Sequence, residues 1–174
     1  MTKPPTQTRP ADRWAADEIV APELIALKAL YDQARGERRM LAYADLPPVE
    51  TLPGVTDLAI VKVGQEAGRY IYLAAGEGYH ETAKVGGGEG LVPGPDGVTL
   101  ERRPVIRQHF DLAVTERRPF HISITRWDGP KILQYDRLIL PLDDGQSGPL
   151  DGDGCGEVTH LLVGEVFLRL AKSG

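Results

Sequence analysis

Among the residues able to do chemistry, one tripeptide occurs three times: Glu37-Arg38-Arg39, Glu101-Arg102-Arg103 and Glu116-Arg117-Arg118, with Arg35 and Arg107 close to two of them. The planar arginine fork suits phosphate or carboxylate, so Arg38, Arg39, Arg102 and Arg103 are the candidates for an anion site. Each pair brings its own glutamate, and the plainer expectation is a solvated helix end. The four histidines are scattered. His80-Glu81-Thr82-Ala83-Lys84 opens like a zinc-protease helix, but Lys84 stands where the second imidazole must be. His121 and His160 fall singly on strand-like segments, which a sheet could bring together. His109 falls on the apolar side of a helix. An imidazole there can ligate haem iron, although one histidine is a weak signal and a locally hydrogen-bonded core-edge histidine is the plainer expectation.

Other patterns stop short of a motif. Asp151-Gly152-Asp153-Gly154 lacks the twelve-residue spacing and closing Glu of a calcium loop. Gly86-Gly87-Gly88-Glu89-Gly90 lacks the Lys and Ser/Thr of a phosphate loop. Cys155, the lone cysteine, has no cationic neighbour in sequence to activate it and no internal disulfide partner. There is no Gly-x-Ser-x-Gly elbow. Asp111 with Tyr70 or Tyr72 is the one acid and hydroxyl combination that could serve a cavity enzyme, which needs a buried base beside a donor. No metal site and no cofactor are expected.

The 174 residues that must position these groups fit one domain with a core of its own. A net charge of −5 argues against a bulk nucleic-acid or membrane-surface binder. No apolar run is long enough to span a bilayer, and the first residues lack the apolar middle of a signal peptide. A cytoplasmic location is expected, with a disordered tail over 1–12 and a single domain over 13–174.

The spacing predicts a helix over 22–35, with Pro22 opening it, Gly36 just past its end, and Leu24, Leu27, Tyr31 and Ala34 on one face. The proline-rich segment DLPPVETLPG is no regular element. Strands follow over 57–63 and 69–75, the second placing Tyr70 and Tyr72 on one face and Ile71 and Leu73 on the other. The stretch 86–97 is too rich in Gly and Pro to hold a fixed element alone. A second helix starts near Leu100 and is closed by Pro119, with Val105, Ile106, His109, Phe110, Ala113 and Val114 along one side. Three strands complete the chain: FHISITRW, the run 132–142 stopped by Asp143-Asp144-Gly145, and EVTHLLVGEVFLRL. Strands and helices in separate blocks indicate an α+β fold.

That order is the PAS arrangement, and the chain resembles a bacterial, mostly proteobacterial, family of PAS-like proteins. The resemblance rests on ALKALYDQARGERRMLAYADLPP, RYIYLAAG, VTERRPF, YDRLILPL and THLLVGEVFL in that order, over about Ala26 to Leu168. Family members usually follow the glycine after the second strand with a short helix and a further Gly motif; here Gly76 is followed by the Gly- and Pro-rich stretch instead. The resemblance implies a PAS core over about 55–170, a five-stranded antiparallel sheet with helices on one face. It implies a non-catalytic sensory or interaction module that binds a small ligand between sheet and helices and signals through a partner protein or a homodimer. Tyr70, Tyr72, His109, Phe110, Phe120, Ile122 and Ile124 would line such a site. The alternative is a small α+β cavity enzyme, an isomerase or hydrolase, using the buried Asp and Tyr.

LAIVKV and HLLVGEVF are apolar at every other position and between. A sheet with one wet face would alternate, so the centre is expected to be covered on both sides. The middle helix would cover one side. The helix over 22–35 would cover the other, folded back or at a dimer interface.

Overall fold

The computed structural model describes residues 19–66, 69–79, 98–99, 104–128, 131–146, 148–149 and 156–172, with side chains described at all of these except 98–99, 104–105, 124–128, 131–135 and 167–172. The expected tail, the stretch 86–97, Asp151–Gly154, Cys155, His80, Arg102 and Arg103 lie outside the described residues, as does the side chain of Ile124.

Helix α1 (Pro22–Arg35) has the bounds its sequence predicts. Pro22 presets the first turn and lacks only an N–H that the helix would leave orphaned. Leu24, Leu27 and Tyr31 form its buried stripe. Gly36, at φ +59°, ends it with its N–H on the Asp32 carbonyl, a left-handed position that glycine occupies without Cβ strain. Strand β1 (Leu41–Ala42) and three single 3-10 turns, Tyr43–Asp45, Val49–Thr51 and Val55–Asp57, lead through the proline-rich segment to β2 (Leu58–Val63). Then come β3 (Arg69–Ala75), β4 (Val98–Thr99), α2 (Pro104–Glu116), β5 (Phe120–Asp128), β6 (Lys131–Asp143) and β7 (Val158–Lys172). Among the described residues α2 begins at Pro104, where proline is best tolerated; 100–103 lie outside them.

The fold is α+β, with few helices on a mixed, open sheet. Its long strands run antiparallel in the order β3-β2-β7-β6-β5. Two short strands correct the expectation of a purely antiparallel five-stranded sheet. β1 lies parallel to β6, Leu41 opposite Leu142, and β4 pairs with β3, Tyr70 opposite Val98. Each is two residues long, too short for alternation to mark in a sequence.

The segment YDRLILPLDDG shows how local chemistry places β6. Its partner β5 stops opposite Ile139, and β1 starts opposite Leu142. Pro141 therefore falls in a gap where no described strand pairs on that side, a position where a ladder tolerates a missing donor. Its carbonyl accepts the Tyr31 hydroxyl at 2.6 Å, tying α1 to β6. The strand then stops in two successive side-chain turns: Asp143 Oδ1 accepts the Gly145 N–H at 2.8 Å and Asp144 Oδ1 accepts the Gln146 N–H at 3.1 Å.

Both faces of the sheet are dry at its centre. On one face Ala59, Val61, Tyr70, Tyr72, Phe120, Ile122, Ile139, Leu161 and Val163 pack with Phe110 and Ala113 of α2. On the other, Leu58, Ile60, Leu138, Leu140, Leu142 and Leu162 pack with Leu24, Leu27 and Tyr31 of α1. Gly164 lets α1 come this close: a Cβ there would stand 2.5 Å from Leu24 Cδ2. The helix over 22–35 thus folds back onto its own sheet.

Candidate functional site

Between the sheet and α2, in otherwise apolar surroundings, lie three polar side chains. Arg137 of β6 is 1% exposed, Glu165 of β7 is 3% and His109 of α2 is 4%. Arg137 and Glu165 are direct cross-strand partners, so the pleat turns both toward α2. Arg137 Nε donates to Glu165 Oε1 at 2.6 Å, and Arg137 Nη1 lies 2.8 Å from His109 Nδ1. Arginine has only donors. His109 Nδ1 must therefore accept, which places the imidazole proton on Nε2 and leaves the ring neutral. The ring also lies against Phe120, centroids 5.4 Å apart. Desolvating two full charges costs several kcal/mol per ion, and their attraction offsets this only with good geometry.

Aromatic side chains wall the network. Tyr72 and Tyr79 approach through their hydroxyls at 3.4 Å. Burial, then the neighbouring Tyr72 and Glu165, push the Tyr79 phenol well above its ordinary value. Phe110 sets its ring edge-on to Tyr70, centroids 5.1 Å apart, and tilted to Tyr72 at 6.4 Å. So of the expected lining, Tyr70, Tyr72, Phe110, Phe120 and Ile122 are brought together in one buried cluster, with His109 against it.

The pair Asp111 and Tyr70 is also brought together, but at the rim. The Tyr70 hydroxyl donates to Asp111 Oδ1 at 2.5 Å, and Arg107 Nε stands 3.6 Å from Asp111 Oδ2. The Asp111 side chain is 45% exposed. Burial first, then this hydrogen bond, hold the proton on Tyr70. A shallow open groove of about 390 Å³ runs beside the pair, lined by Arg107, Gln108, Asp111, Leu112 and Thr115.

The arginine expectation resolves into a helix end where it can be seen. Arg38 gives Nε to the Arg35 carbonyl at 3.3 Å, Nη2 to the Ala34 carbonyl at 3.4 Å and Nη1 to Asp45 at 3.0 Å. It closes the C-terminus of α1, where carbonyls need donors and a cation is favoured. The Arg39 N–H donates to the Gly148 carbonyl at 3.2 Å, and Arg38 bridges to Pro149, fixing this corner against the loop after β6. Arg118 pairs with Glu116 at 3.3 Å.

His121 and His160 do not meet. β6 runs between their strands, His121 opposite Leu138 and His160 opposite Leu142. His160 stacks on Tyr43, ring centroids 3.7 Å apart and 8° from parallel. Burial, then Lys62, lower its proton affinity. His121 lies on the α1 side with Asp136, which is 0% exposed. Asp136 Oδ1 accepts Ser123 Oγ at 2.6 Å, while Oδ2 accepts the N–H groups of Val20 and Ala21 at 3.1 and 3.4 Å. His121 Nε2, 3.6 Å from Oδ1, has no hydrogen-bond partner among the described residues. Ser, His and Asp together invite comparison with a catalytic triad, but the serine donates to the aspartate and not to the imidazole, so no nucleophile is activated.

Asp136 therefore ties down the residues that lead into α1, whose own N-cap residue, Ala21, has no capping side chain, and sets a negative charge near the helix N-terminus. Burial alone would raise its carboxyl pKa, but His121, Ser123 and the Val20 amide outweigh that and lower it. A depressed folded value means stabilisation that is fully present above the ordinary aspartate value of about 3.9 and lost as pH falls through the folded one. Urea denaturation is expected to show a drop in stability below about pH 4 that is flatter in Asp136→Asn. Equal acid limbs in both proteins would contradict this role.

No family model, curated protein or solved structure gives a significant match to the chain. Among the described residues no group of three or more His, Cys, Asp or Glu side chains is placed to hold a metal, and no helix is long and apolar enough to cross a membrane.

The sequence reading missed Arg137, Glu165 and Asp136. The signal was present: Arg137 and Glu165 are charges inside strands apolar on both faces, and a charge in a strand with no wet face has to be paired. What alternation does not reveal is which residue answers it across the sheet.

Proposed function

We propose that the chain is a PAS-like sensory or protein-interaction module that works by binding and not by catalysis, in the cytoplasm, with the signal leaving through a partner protein or a homodimer. The observation that carries this is the placement of charge in the layer between sheet and α2. A buried, hydrogen-bonded Arg137–Glu165 pair with neutral His109 lies beside an aromatic cluster, which His109 meets at Phe120, on the strands that join the two halves of the sheet. Charges buried in an apolar layer are rare and costly to desolvate, so their presence here asks for a reason beyond packing. The order of the long elements supports the same reading: β2 and β3, then α2 over one face, then β5, β6 and β7 in the same sheet, with the short β1 and β4 added at its edges.

The cavity-enzyme alternative keeps one observation in its favour, the 2.5 Å contact of Tyr70 and Asp111 beside an open groove. It asks for a buried base, and Asp111 is 45% exposed with its carboxylate already engaged by Tyr70 and Arg107. Native mass spectrometry of the protein purified from its own host separates the readings. A retained small molecule, a second protein chain or a homodimer is expected. A bare monomer throughout would overturn the binding reading.

A further inference from the structure

Two adjacent residues of β6 hold the two helices on opposite faces of the sheet. Asp136 points to the α1 side and accepts the N–H groups of Val20 and Ala21, just before that helix begins. Arg137 points to the other side, bonded to His109 in the second turn of α2 and to Glu165. The contacts reach far along the chain, 116 residues for Val20 to Asp136 and 28 for Arg137 to His109. Each anchor is nearly free of water, Asp136 at 0% and Arg137 at 1% exposure. One trans peptide unit joins them and holds their Cα atoms about 3.8 Å apart. A tilt of β6 at this point therefore displaces both side chains together, and the hydrogen bonds that hold them weaken steeply with distance and angle.

Both residues are also clamped sideways. Asp136 faces Ser123 on β5 and accepts a hydrogen bond from its hydroxyl at 2.6 Å. Arg137 faces Glu165 on β7. Beside them Gln134 and Tyr135 pair with Arg169 and Phe167, a register shift in β7 that skips Leu168. Bulges of this kind disrupt the ladder locally and increase twist. The strand is thus pinned by side chains at 136 and 137 and interrupted in its ladder one residue earlier, a place where a tilt can occur without breaking the sheet.

We infer that residues 136 and 137 of β6 couple the two helical covers through the sheet, so that a change at the α2 anchor shifts the docking of α1 and the reverse. This goes beyond the sensory reading and holds whatever docks on α2, or if nothing does. The other surface features carry less. Nothing in the structure selects an occupant for the groove beside Asp111, and His121 has one acidic neighbour, Asp136, among the described residues.

Amide hydrogen exchange on the full chain tests the coupling. Two variants disturb the α2 anchor: His109→Phe, which keeps a ring against Phe120 and removes the acceptor, and Glu165→Gln, which keeps an acceptor and removes the charge. Asp136→Asn disturbs the α1 anchor. The Val20 and Ala21 amides report α1, the amides of Phe110 and Ala113 report α2, and those of Leu161 and Val163 in β7 report global unfolding. Either α2-side variant is expected to speed exchange at Val20 and Ala21 by about fivefold or more beyond any change at Leu161 and Val163, and Asp136→Asn to speed exchange at Phe110 and Ala113 beyond the same reference, since coupling between two sites acts in both directions. Exchange at Val20 and Ala21 that is unchanged, or that merely follows β7, overturns the inference, as does coupling in one direction only.

Discussion

Arg137→Met is expected to lower the unfolding free energy by about 3–5 kcal/mol, the usual result of removing one partner of a buried ion pair. The methionine fills much of the same volume, so packing is not the main loss. What remains is Glu165, 3% exposed, with its 2.6 Å partner gone, and His109 Nδ1 without its donor. Urea denaturation with the slope held in view measures the change. The double variant Arg137→Met/Glu165→Met is the sharper experiment, because replacing both members of a buried pair by apolar residues is often neutral or stabilising by about 1–4 kcal/mol. Recovery of stability in the double variant, with loss of the bound molecule or partner seen by native mass spectrometry, would mean that the pair is there for recognition and not for the fold. A single variant costing under about 1 kcal/mol would mean that Arg137 reaches solvent and that the layer is not dry.

The same pair shows how far the sequence could be read. Elements with strong periodicity were legible: Pro22, Gly36 and the stripe Leu24, Leu27, Tyr31 define α1 to the residue, and the apolar runs LAIVKV and HLLVGEVF announced a sheet covered on both faces. The aromatic cluster of Tyr70, Tyr72, Phe110 and Phe120 was legible because face follows from parity and helical spacing. Elements that depend on long-range geometry were not. β1 finds its place because β5 pairs no further than Phe120, opposite Ile139, and leaves the edge of β6 open beyond it, which no local pattern near Leu41 encodes. Asp136 holds the N–H groups just ahead of a helix that begins 114 positions before it along the sequence, and the motif rules look for a helix's start signals beside the helix itself. Arg38 was read as a candidate anion binder because the sequence shows its charge and not the carbonyls of Ala34 and Arg35 that take it up.

Phe110→Ala is expected to cost about 3–5 kcal/mol, and its consequences bear directly on ligand binding. Phe110 is fully buried and touches Tyr70 edge-on and Tyr72 at a tilt. Truncation removes those contacts, each aromatic pair being worth about 0.5–1.5 kcal/mol beyond area, and leaves a void walled by Tyr70, Tyr72 and their apolar neighbours. A void of that character stays dry and accepts a small apolar probe. Benzene or xenon is therefore expected to raise the midpoint of thermal unfolding of Phe110→Ala. Wild type should respond less, because Phe110 occupies the same space. Equal stabilisation of both proteins would point to a cavity already open in wild type, and the small-ligand form of the sensory reading would gain a measured site. A cost below about 1 kcal/mol with no response to the probe would mean that α2 does not seat on the sheet, and the layer holding His109, Arg137 and Glu165 would no longer be a site of any kind.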